Sequence, residues 1–160
     1  MKNTGSLNGD MYTSDVFQIL FDYEISRSKR YPSPLTLIQL EMSPIATSAD
    51  ALSAAPKIFS SEINRHLRAV DIPSKAGNIY TLLLPNSDKH GAHAVCERLL
   101  LIFKNKFASP SGDSVVFSLH IGATTHNGGP DISSESVLKK ARDALKQSKL
   151  KGANTYIFLS

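Results

Sequence analysis

Apolar side chains recur at helical spacing near the start of the chain and then give way to an unbroken apolar run. From Ser14 onward they predict an amphipathic helix with Thr13 or Ser14 as its N-cap and its end before Pro32. The positions that define this helix are Val16, Phe17, Ile19, Leu20, Tyr23 and Ile25. The run at 35–42 predicts a strand that is buried on both faces, so we expect it to be the central strand.

The later pattern predicts further helices and strands in alternation. Residues 48–70 read as helix, but Pro56 interrupts the pattern and predicts two helical segments in tandem. Residues 87–107 predict a long amphipathic helix with Val95, Leu99, Ile102 and Phe103 facing the core. The last elements predicted are a strand at 115–125, a helix at 135–150 capped by Ser133 or Ser134, and a strand at 155–159.

Between the predicted helices lies a β-hairpin that organises the rest of the chain. Its strands are expected at 71–74 and 79–84, on either side of the turn sequence Lys75-Ala76-Gly77-Asn78. Gly77 and Asn78 are expected to supply the positive φ angles of a tight turn. A hairpin tip can present side chains for chemistry, and this one offers an amide, an isoleucine and a tyrosine hydroxyl rather than carboxylates.

The order of elements predicts an α/β fold of the α+β type. One mixed sheet of about five strands should carry helices on both faces. Residues 11–160 are expected to form a single domain, and the polar residues 1–10 a flexible N-terminal lead-in.

Composition agrees with a soluble globular protein. The chain has 160 residues, 41% hydrophobic and 20% charged, which is enough to bury one sizeable core. Cys96 is the single cysteine, so no internal disulfide can form and a cytoplasmic location is expected. No apolar run approaches the ~18 residues that a membrane span needs, so no membrane association is expected.

The formal net charge of +4 raises the question of nucleic-acid binding. The basic residues form three modest clusters without interleaved aromatic residues, a pattern more typical of solvated helix faces. Nucleic acid is therefore not the expected partner. The clusters are Arg27, Lys29 and Arg30, then Arg65 and Arg68, and then Lys139, Lys140, Lys146, Lys149 and Lys151.

A spacing of three residues relates His90, His93 and Cys96 on one predicted helix. Side chains at this spacing spread around the helix and converge poorly on one ion. We therefore expect no metal site and no cofactor, and interpret the three as helix-surface residues with a half-buried thiol. His66, His120 and His126 have no partnered nucleophile in the sequence.

Four segments of the chain occur in a recognisable order: 24–31 with 34–37 at the approach to the first strand, 82–85 after the hairpin turn, 118–123, and 141–154 at the last helix and turn. Together they resemble the GGDEF domain, the fold of diguanylate cyclases, which join two GTP molecules into cyclic di-GMP. The resemblance covers nearly the whole chain from about Asp10 and implies a nucleotidyl-cyclase-like sheet.

Aligned on Pro85, the five-residue signature of the family falls on Ala76, Gly77, Asn78, Ile79 and Tyr80. The acidic pair is thus replaced by an amide and an isoleucine, and isoleucine offers no ligand to magnesium. The resemblance places another metal ligand at Glu41, a second acidic position at Ser43, and a triphosphate contact at Lys149, beside which Ala153 replaces an arginine. The segment 44–55 shows no guanine-reading motif. A single carboxylate would hold a two-metal site poorly.

One site of the family survives in the sequence. The resemblance implies that Arg68-Ala69-Val70-Asp71, with Arg98 from the next helix, forms an inhibitory-type site for a stacked cyclic di-GMP dimer. Arginine forks recognise phosphate and the guanine edge, and a carboxylate accepts hydrogen bonds from guanine. The alternative for an Arg-x-x-Asp string is an exposed ion pair at a helix end, worth at most ~1 kcal/mol.

The sequence therefore predicts a catalytically inactive, regulatory GGDEF-like domain that binds cyclic di-GMP at Arg68, Asp71 and Arg98. Two alternatives stay open: a protein-interaction module without a nucleotide ligand, and a weakly active cyclase or GTP-binding domain that uses Glu41, Asn78 and Lys149. A partner protein or sensory domain supplied in trans is expected, and a homodimer is a further option.

Overall fold

The computed structural model describes residues 11–160, and the flexible lead-in expected for residues 1–10 lies outside the described residues. The described chain forms four helices and six strands. The helices are α1 (Ser14–Arg30), α2 (Ala49–Arg65), α3 (Lys89–Ile102) and α4 (Ser134–Lys151). The strands are β1 (Leu35–Ala46), β2 (Ile72–Ala76), β3 (Ile79–Pro85), β4 (Phe107–Ala108), β5 (Ser114–His126) and β6 (Thr155–Leu159).

All six strands join one sheet in the order β2-β3-β1-β5-β4, and β6 also pairs with β5. Every pairing is antiparallel except that of β6, which runs parallel to β5. The α+β fold with a mixed sheet is confirmed, and β1 is the central strand as its apolar run predicted.

Helices cover both faces of the sheet. The face under α2 and α3 holds the larger core, and α1 and α4 cover a smaller core on the opposite face. Alternate residues of β1 divide between the two faces, with Ile38, Leu40 and Met42 in the larger core and Leu35 and Leu37 in the smaller one. This alternation follows from the two-residue repeat of a strand.

Helix α1 begins as predicted, with the Thr13 hydroxyl accepting a hydrogen bond from the Val16 amide at 3.4 Å. Its buried stripe is Phe17, Phe21, Ile25 and Ser28. Ile19 and Tyr23 were expected on the apolar face, but they are 68% and 66% exposed. In a helix of 3.6 residues per turn, Ile19 and Tyr23, two and six positions after Phe17, lie on the side of the helix away from the buried stripe.

Strand β1 runs four residues beyond the predicted end and passes through Pro44. The Met42 amide donates to the Asn78 carbonyl at 3.1 Å, on the side of β1 that β3 occupies. Pro44 faces the same side, but the pairing of β1 with β3 ends at Glu41. Pro44 therefore costs the sheet no hydrogen bond, since a proline is tolerated where a strand edge is unpaired.

Helix α2 is continuous, so the prediction of two tandem helices broken at Pro56 is wrong. It also ends at Arg65, before the predicted end. A proline inside a helix costs ~3 kcal/mol through its missing amide hydrogen and its ring. Ala51, Ala55, Phe59 and Ile63 recur every four residues and are fully buried against the sheet. Their packing outweighs that cost.

Helix α3 is shorter than predicted and begins after its N-cap Asp88. It ends at Ile102 because the Phe103 side chain packs into an aromatic cluster. The centroid of its ring lies 4.3 Å from that of Phe59 and 5.6 Å from that of Phe117. The chain then reverses into β4, which pairs with the start of β5 and was not predicted. The predicted helix α4 and strand β6 are confirmed, with Ser133 as the N-cap of α4 and Gly152 as its C-cap.

Candidate functional site

The hairpin of β2 and β3 has a two-residue turn made of Gly77 and Asn78. Gly77 has a φ of +62°, and a side chain there would meet no atom within 4 Å. Asn78 has no positive φ, contrary to the expectation for this position. The turn is therefore open to solvent, and Gly77 supplies the one positive φ angle in it.

At the tip of the hairpin, Ile79 lies directly opposite Glu41 in the pairing of β3 with β1. Both residues belong to the sheet face that α1 and α4 cover, together with Ala76 opposite Ile79 on β2. Two of the acidic positions that the resemblance assigns are thus adjacent, but one of them is occupied by an isoleucine, which cannot bind a metal ion. Ser43, the other such position, is exposed and lies two residues farther along β1.

The Tyr80 hydroxyl does not belong to the tip, which corrects the sequence-based expectation. Tyr80 is 0% exposed and faces α2 in the larger core, where its hydroxyl lies 3.0 Å from the Ser60 hydroxyl. Burial raises the pKa of Tyr80 above its ordinary value, and the Ser60 hydrogen bond opposes this. Residues 79 and 80 point to opposite faces of a strand, so only one of them can serve the tip.

Lys149 reaches the tip from the last turn of α4. Its Nζ lies 2.6 Å from Glu41 Oε1, and both side chains are partly exposed. The structure therefore brings together Glu41, Ile79 and Lys149, three of the positions derived from the resemblance. The Lys149 ammonium group therefore pairs with the Glu41 carboxylate, which would otherwise be available to bind a metal ion.

One polar residue of this region was missed in the sequence. His120 lies opposite Glu41 in the pairing of β1 with β5, and its Nδ1 is buried without a hydrogen-bond partner within the described part of the chain. The alternation of β5 places it on the face of α4. His120 could not be identified without the pairing register of β1 with β5, because the register places it next to Glu41 although the two residues are 79 positions apart in sequence.

Arg68, Asp71 and Arg98 line one cavity of about 360 Å³ on the opposite face of the sheet, which we call the arginine cavity. It lies between the turn before β2, the end of β3 and helix α3. Its remaining lining residues are Leu84, Asn86, Ser87, Asp88, Gly91, Ala94 and Val95. The structure thus brings the three predicted ligand-binding residues together.

Within the arginine cavity, Arg68 and Asp71 already bind each other. Arg68 Nη2 lies 2.9 Å from Asp71 Oδ1, and the Arg68 backbone amide donates to Asp71 Oδ2 at 2.7 Å. Arg68 Nη2 also donates to the Pro85 carbonyl at 2.7 Å. The Asp71 side chain is 5% exposed and that of Arg68 is 52% exposed. The pair is therefore built into a turn, unlike the exposed helix-end pair considered as the alternative.

Arg98 stands on α3 across the cavity, and its Nη2 donates to the His66 carbonyl at 3.1 Å. Asp88, the N-cap of α3, also lines the cavity, and its carboxylate accepts a hydrogen bond from the Gly91 amide at 2.9 Å. The positive charges of two guanidinium groups in the cavity are therefore matched by the negative charges of two carboxylates. Both arginines bond carbonyl groups that a ligand phosphate could replace.

The histidines and the thiol of α3 serve other purposes. His93 Nδ1 lies 2.8 Å from the Tyr156 hydroxyl, which donates to Glu97 at 3.1 Å. Cys96 is fully buried rather than half-buried, and burial raises the pKa of its thiol to about 12. A thiol with this pKa is a poor metal ligand. No cluster of three potential metal ligands occurs within residues 11–160.

Comparison with known proteins rests on structure alone, since no family model and no curated protein matches the sequence. The GGDEF domain of TpbB (also YfiN) from Pseudomonas aeruginosa superposes with a TM-score of 0.80 at 14% identity, over 95% of this chain and 92% of that one. The GGDEF domain of DgcB from Caulobacter crescentus, solved in complex with c-di-GMP, gives 0.72 at 15% identity over 99% and 95%.

A third similar structure is the diguanylate cyclase SiaD from P. aeruginosa in complex with its activator SiaC. It gives a TM-score of 0.76 at 19% identity, over 93% of this chain and 59% of that one. The described chain therefore has the fold of GGDEF domains, the fold that diguanylate cyclases share. The resemblance inferred from the sequence is confirmed at the level of the fold.

None of the helices within residues 11–160 combines the length and the apolar character that crossing a bilayer requires.

Proposed function

We propose that this chain is a non-catalytic domain of the GGDEF fold with a regulatory role, and that it binds cyclic di-GMP in the arginine cavity. One observation carries the proposal. Arg98 of α3 lines the same cavity, of about 360 Å³, as Arg68 and Asp71 from the turn before β2. These are the residues that the resemblance to the GGDEF domain implies for such a site.

The chemistry of the cavity suits this ligand. Arginine guanidinium groups bind phosphate and the O6/N7 edge of guanine with paired hydrogen bonds. Arg68 is 52% exposed, so its fork can exchange the Pro85 carbonyl for a ligand oxygen while its Nε remains on Asp71 at 3.2 Å. The structure of the DgcB domain with c-di-GMP supports the same ligand for a protein of this fold.

Loss of catalysis is supported by the tip of the hairpin. Ile79 faces Glu41, and Lys149 neutralises the carboxylate of Glu41 at 2.6 Å. Two magnesium ions need several charged oxygen ligands to promote phosphoryl transfer. The tip offers one carboxylate, already paired, and the exposed amide of Asn78.

A non-catalytic domain acts by changing the state of another protein. The complex of SiaD with its activator SiaC shows that a diguanylate cyclase can associate with a partner protein. We propose that this chain likewise works through a partner protein or a sensory domain, or as a homodimer. The second candidate function is a protein-interaction module that binds no nucleotide.

Isothermal titration with cyclic di-GMP tests ligand binding. Arg98→Ala is the sharper variant, because within residues 11–160 Arg98 makes a single hydrogen bond, to the carbonyl of His66 at the end of α2, and its loss leaves the Arg68–Asp71 turn intact. Arg68→Lys keeps the charge and removes the fork. We expect both variants to lose affinity at least about tenfold, as removal of a charge-assisted hydrogen bond predicts.

The matched control is Arg65→Ala. Arg65 is 72% exposed on α2, pairs with Glu62 and does not line the arginine cavity. Its removal should leave the affinity unchanged. Absence of heat with the parent protein would remove cyclic di-GMP as the ligand and favour the interaction module.

Incubation with GTP and magnesium, followed by chromatography, tests for catalysis. We expect GTP to be recovered without formation of cyclic di-GMP. Synthesis at an ordinary cyclase rate would reject the non-catalytic function and favour the weakly active alternative, in which Glu41, Asn78 and Lys149 would hold the substrate.

A further inference from the structure

A second cavity, of about 440 Å³, lies between α1 and α4 on the sheet face opposite the arginine cavity. We call it the α1–α4 cavity. Its size falls within the range of small-molecule sites, roughly 300–1,000 Å³. Its lining combines a polar floor, apolar walls and a basic rim.

The floor is a row of three polar side chains on adjacent strands. Ser74 of β2 lies opposite Thr81 of β3, which lies opposite Gln39 of β1. Gln39 Nε2 donates to Thr81 Oγ1 at 3.1 Å. On the side of this row away from the hairpin tip, Ile72, Leu83 and Leu37 are buried in the smaller core.

Two of these floor residues are more than nine-tenths buried and have unused hydrogen-bonding groups. Ser74 is 5% exposed, and its hydroxyl bonds to no other side chain or backbone group of residues 11–160. Gln39 is 8% exposed and uses only its amide nitrogen within the same residues, which leaves its carbonyl oxygen open to the cavity. Because both residues line the cavity, these groups can form hydrogen bonds with a polar ligand bound there.

The rim carries three cations from α4, namely Arg142, Lys146 and Lys149. Lys149 is neutralised by Glu41. Arg142 and Lys146 form no ion pair within residues 11–160. The nearby carboxylate of Asp143 is bound by Lys139 at 2.8 Å, although it also attracts Lys146 at longer range. Two positive charges that pair with no carboxylate of residues 11–160 therefore line the cavity.

Apolar walls and a helix terminus complete the site. Phe17, Leu138 and Leu145 line the sides, and Ser14 belongs to the first turn of α1. The N-terminal end of a helix carries a partial positive charge that favours anions. The carboxylate of Asp15 in the same turn offsets part of this charge, so the helix terminus does not define the site by itself.

We propose that the α1–α4 cavity binds a small phosphate monoester, with the phosphate held at Arg142 and Lys146 and a polar body resting on Gln39, Thr81 and Ser74. The charge supports this class of ligand, because a phosphate monoester carries about −1.5 to −2 near neutral pH and matches two unpaired cations. The site is separate from the arginine cavity, and the proposal does not depend on cyclic di-GMP binding.

Nuclear magnetic resonance with adenosine 5′-monophosphate, adenosine and inorganic phosphate tests the proposal. We expect the monophosphate to shift the Gln39 side-chain amide and the Ser74 backbone amide, and to bind at least about tenfold tighter than either fragment, as two joined sets of contacts predict. Shifts confined to the exposed lysines, or no saturable binding of the monophosphate, would overturn it.

Two pairs of substitutions on one helix separate the site from general charge attraction. Arg142→Gln with Lys146→Gln removes two cations from the rim, and Lys140→Gln with Lys151→Gln removes two cations that do not line the cavity and leaves the Lys139–Asp143 pair intact. The first pair should weaken monophosphate binding about tenfold or more, and the second should change it little. Equal losses in both pairs would reduce the binding to nonspecific attraction and reject the site.

A third variant tests the floor. Gln39→Leu keeps a similar volume and removes the hydrogen-bonding amide, so affinity for the monophosphate should fall while affinity for inorganic phosphate stays the same. An unchanged monophosphate affinity would contradict the role of the floor. Arg98→Ala should leave all of these measurements unaltered, which separates this proposal from that of the arginine cavity.

Discussion

Lys149 Nζ lies 2.6 Å from Glu41 Oε1, which joins the last turn of α4 to the central strand at the hairpin tip. Their sequence separation exceeds a hundred residues, and the fold alone makes them partners. Because both side chains are partly exposed, solvent screens the pair, and its role is local neutralisation more than stability.

The Glu41–Lys149 pair should contribute little to stability. Glu41→Gln and Lys149→Met, alone and together, form a double-mutant cycle whose coupling we expect to be below about 1 kcal/mol in urea unfolding. High salt should reduce the coupling further. A coupling of several kcal/mol would show that the pair is shielded from solvent, contrary to its exposure.

Restoring one carboxylate should restore metal binding before it restores catalysis. Ile79→Glu places a carboxylate opposite Glu41, and the like charges should lower stability slightly, by about 0.2–1 kcal/mol. Millimolar Mg²⁺ should then raise the melting temperature of this variant more than that of the parent protein, measured at equal ionic strength. Ile79→Gln, which has no charge, serves as the control and should show no such gain.

Two glycines should respond to alanine in opposite ways. A Cβ at Gly122 would lie 2.1 Å from the Leu145 backbone nitrogen, so Gly122→Ala must force β5 away from α4. We expect a loss of about 3 kcal/mol or more, the upper range for overpacking. At Gly91 the nearest atom is the Ser87 hydroxyl at 2.6 Å, which can rotate away. Gly91→Ala should therefore be neutral or gain up to about 1 kcal/mol in helix α3.

Stability should fall in alkaline solution because of Cys96. Burial raises the pKa of its thiol from an ordinary value near 9 to about 12. Above pH 9 the unfolded chain releases a proton that the folded chain retains, so the free energy of unfolding should fall by up to about 1.4 kcal/mol per pH unit until the pH reaches the folded pKa.

Urea unfolding on either side of pH 9 measures this effect, with Cys96→Ala as the comparison. The variant should lose less stability with rising pH, although its stability at neutral pH will be lower because a buried atom is removed. Equal slopes for the two proteins would contradict the pKa of the thiol. The raised pKa of Tyr80 acts in the same direction at higher pH and is common to both.

Much of the fold could be predicted from local pattern. The spacing of apolar residues and the caps gave α1 and α4 nearly to the residue, and the apolar run identified β1 as the central strand. The prediction at Pro56 was wrong because a local rule was applied where burial of Phe59 and its neighbours decides. The end of α3 was misplaced because an aromatic cluster with members distant in sequence draws Phe103 inward.

For the candidate sites too, residue types could be interpreted from the sequence, but the contacts between distant residues could not. The sequence by itself determined that the tip lacks a carboxylate at Ile79 and that Arg68, Asp71 and Arg98 are available, since these are matters of residue type. Only the tertiary structure decided that Tyr80 is buried in the core, that His120 lies beside Glu41, and that Gln39 and Ser74 share a cavity with Arg142. Strand register and helix docking bring distant residues together, and these arise from packing across the whole sheet rather than from any local segment.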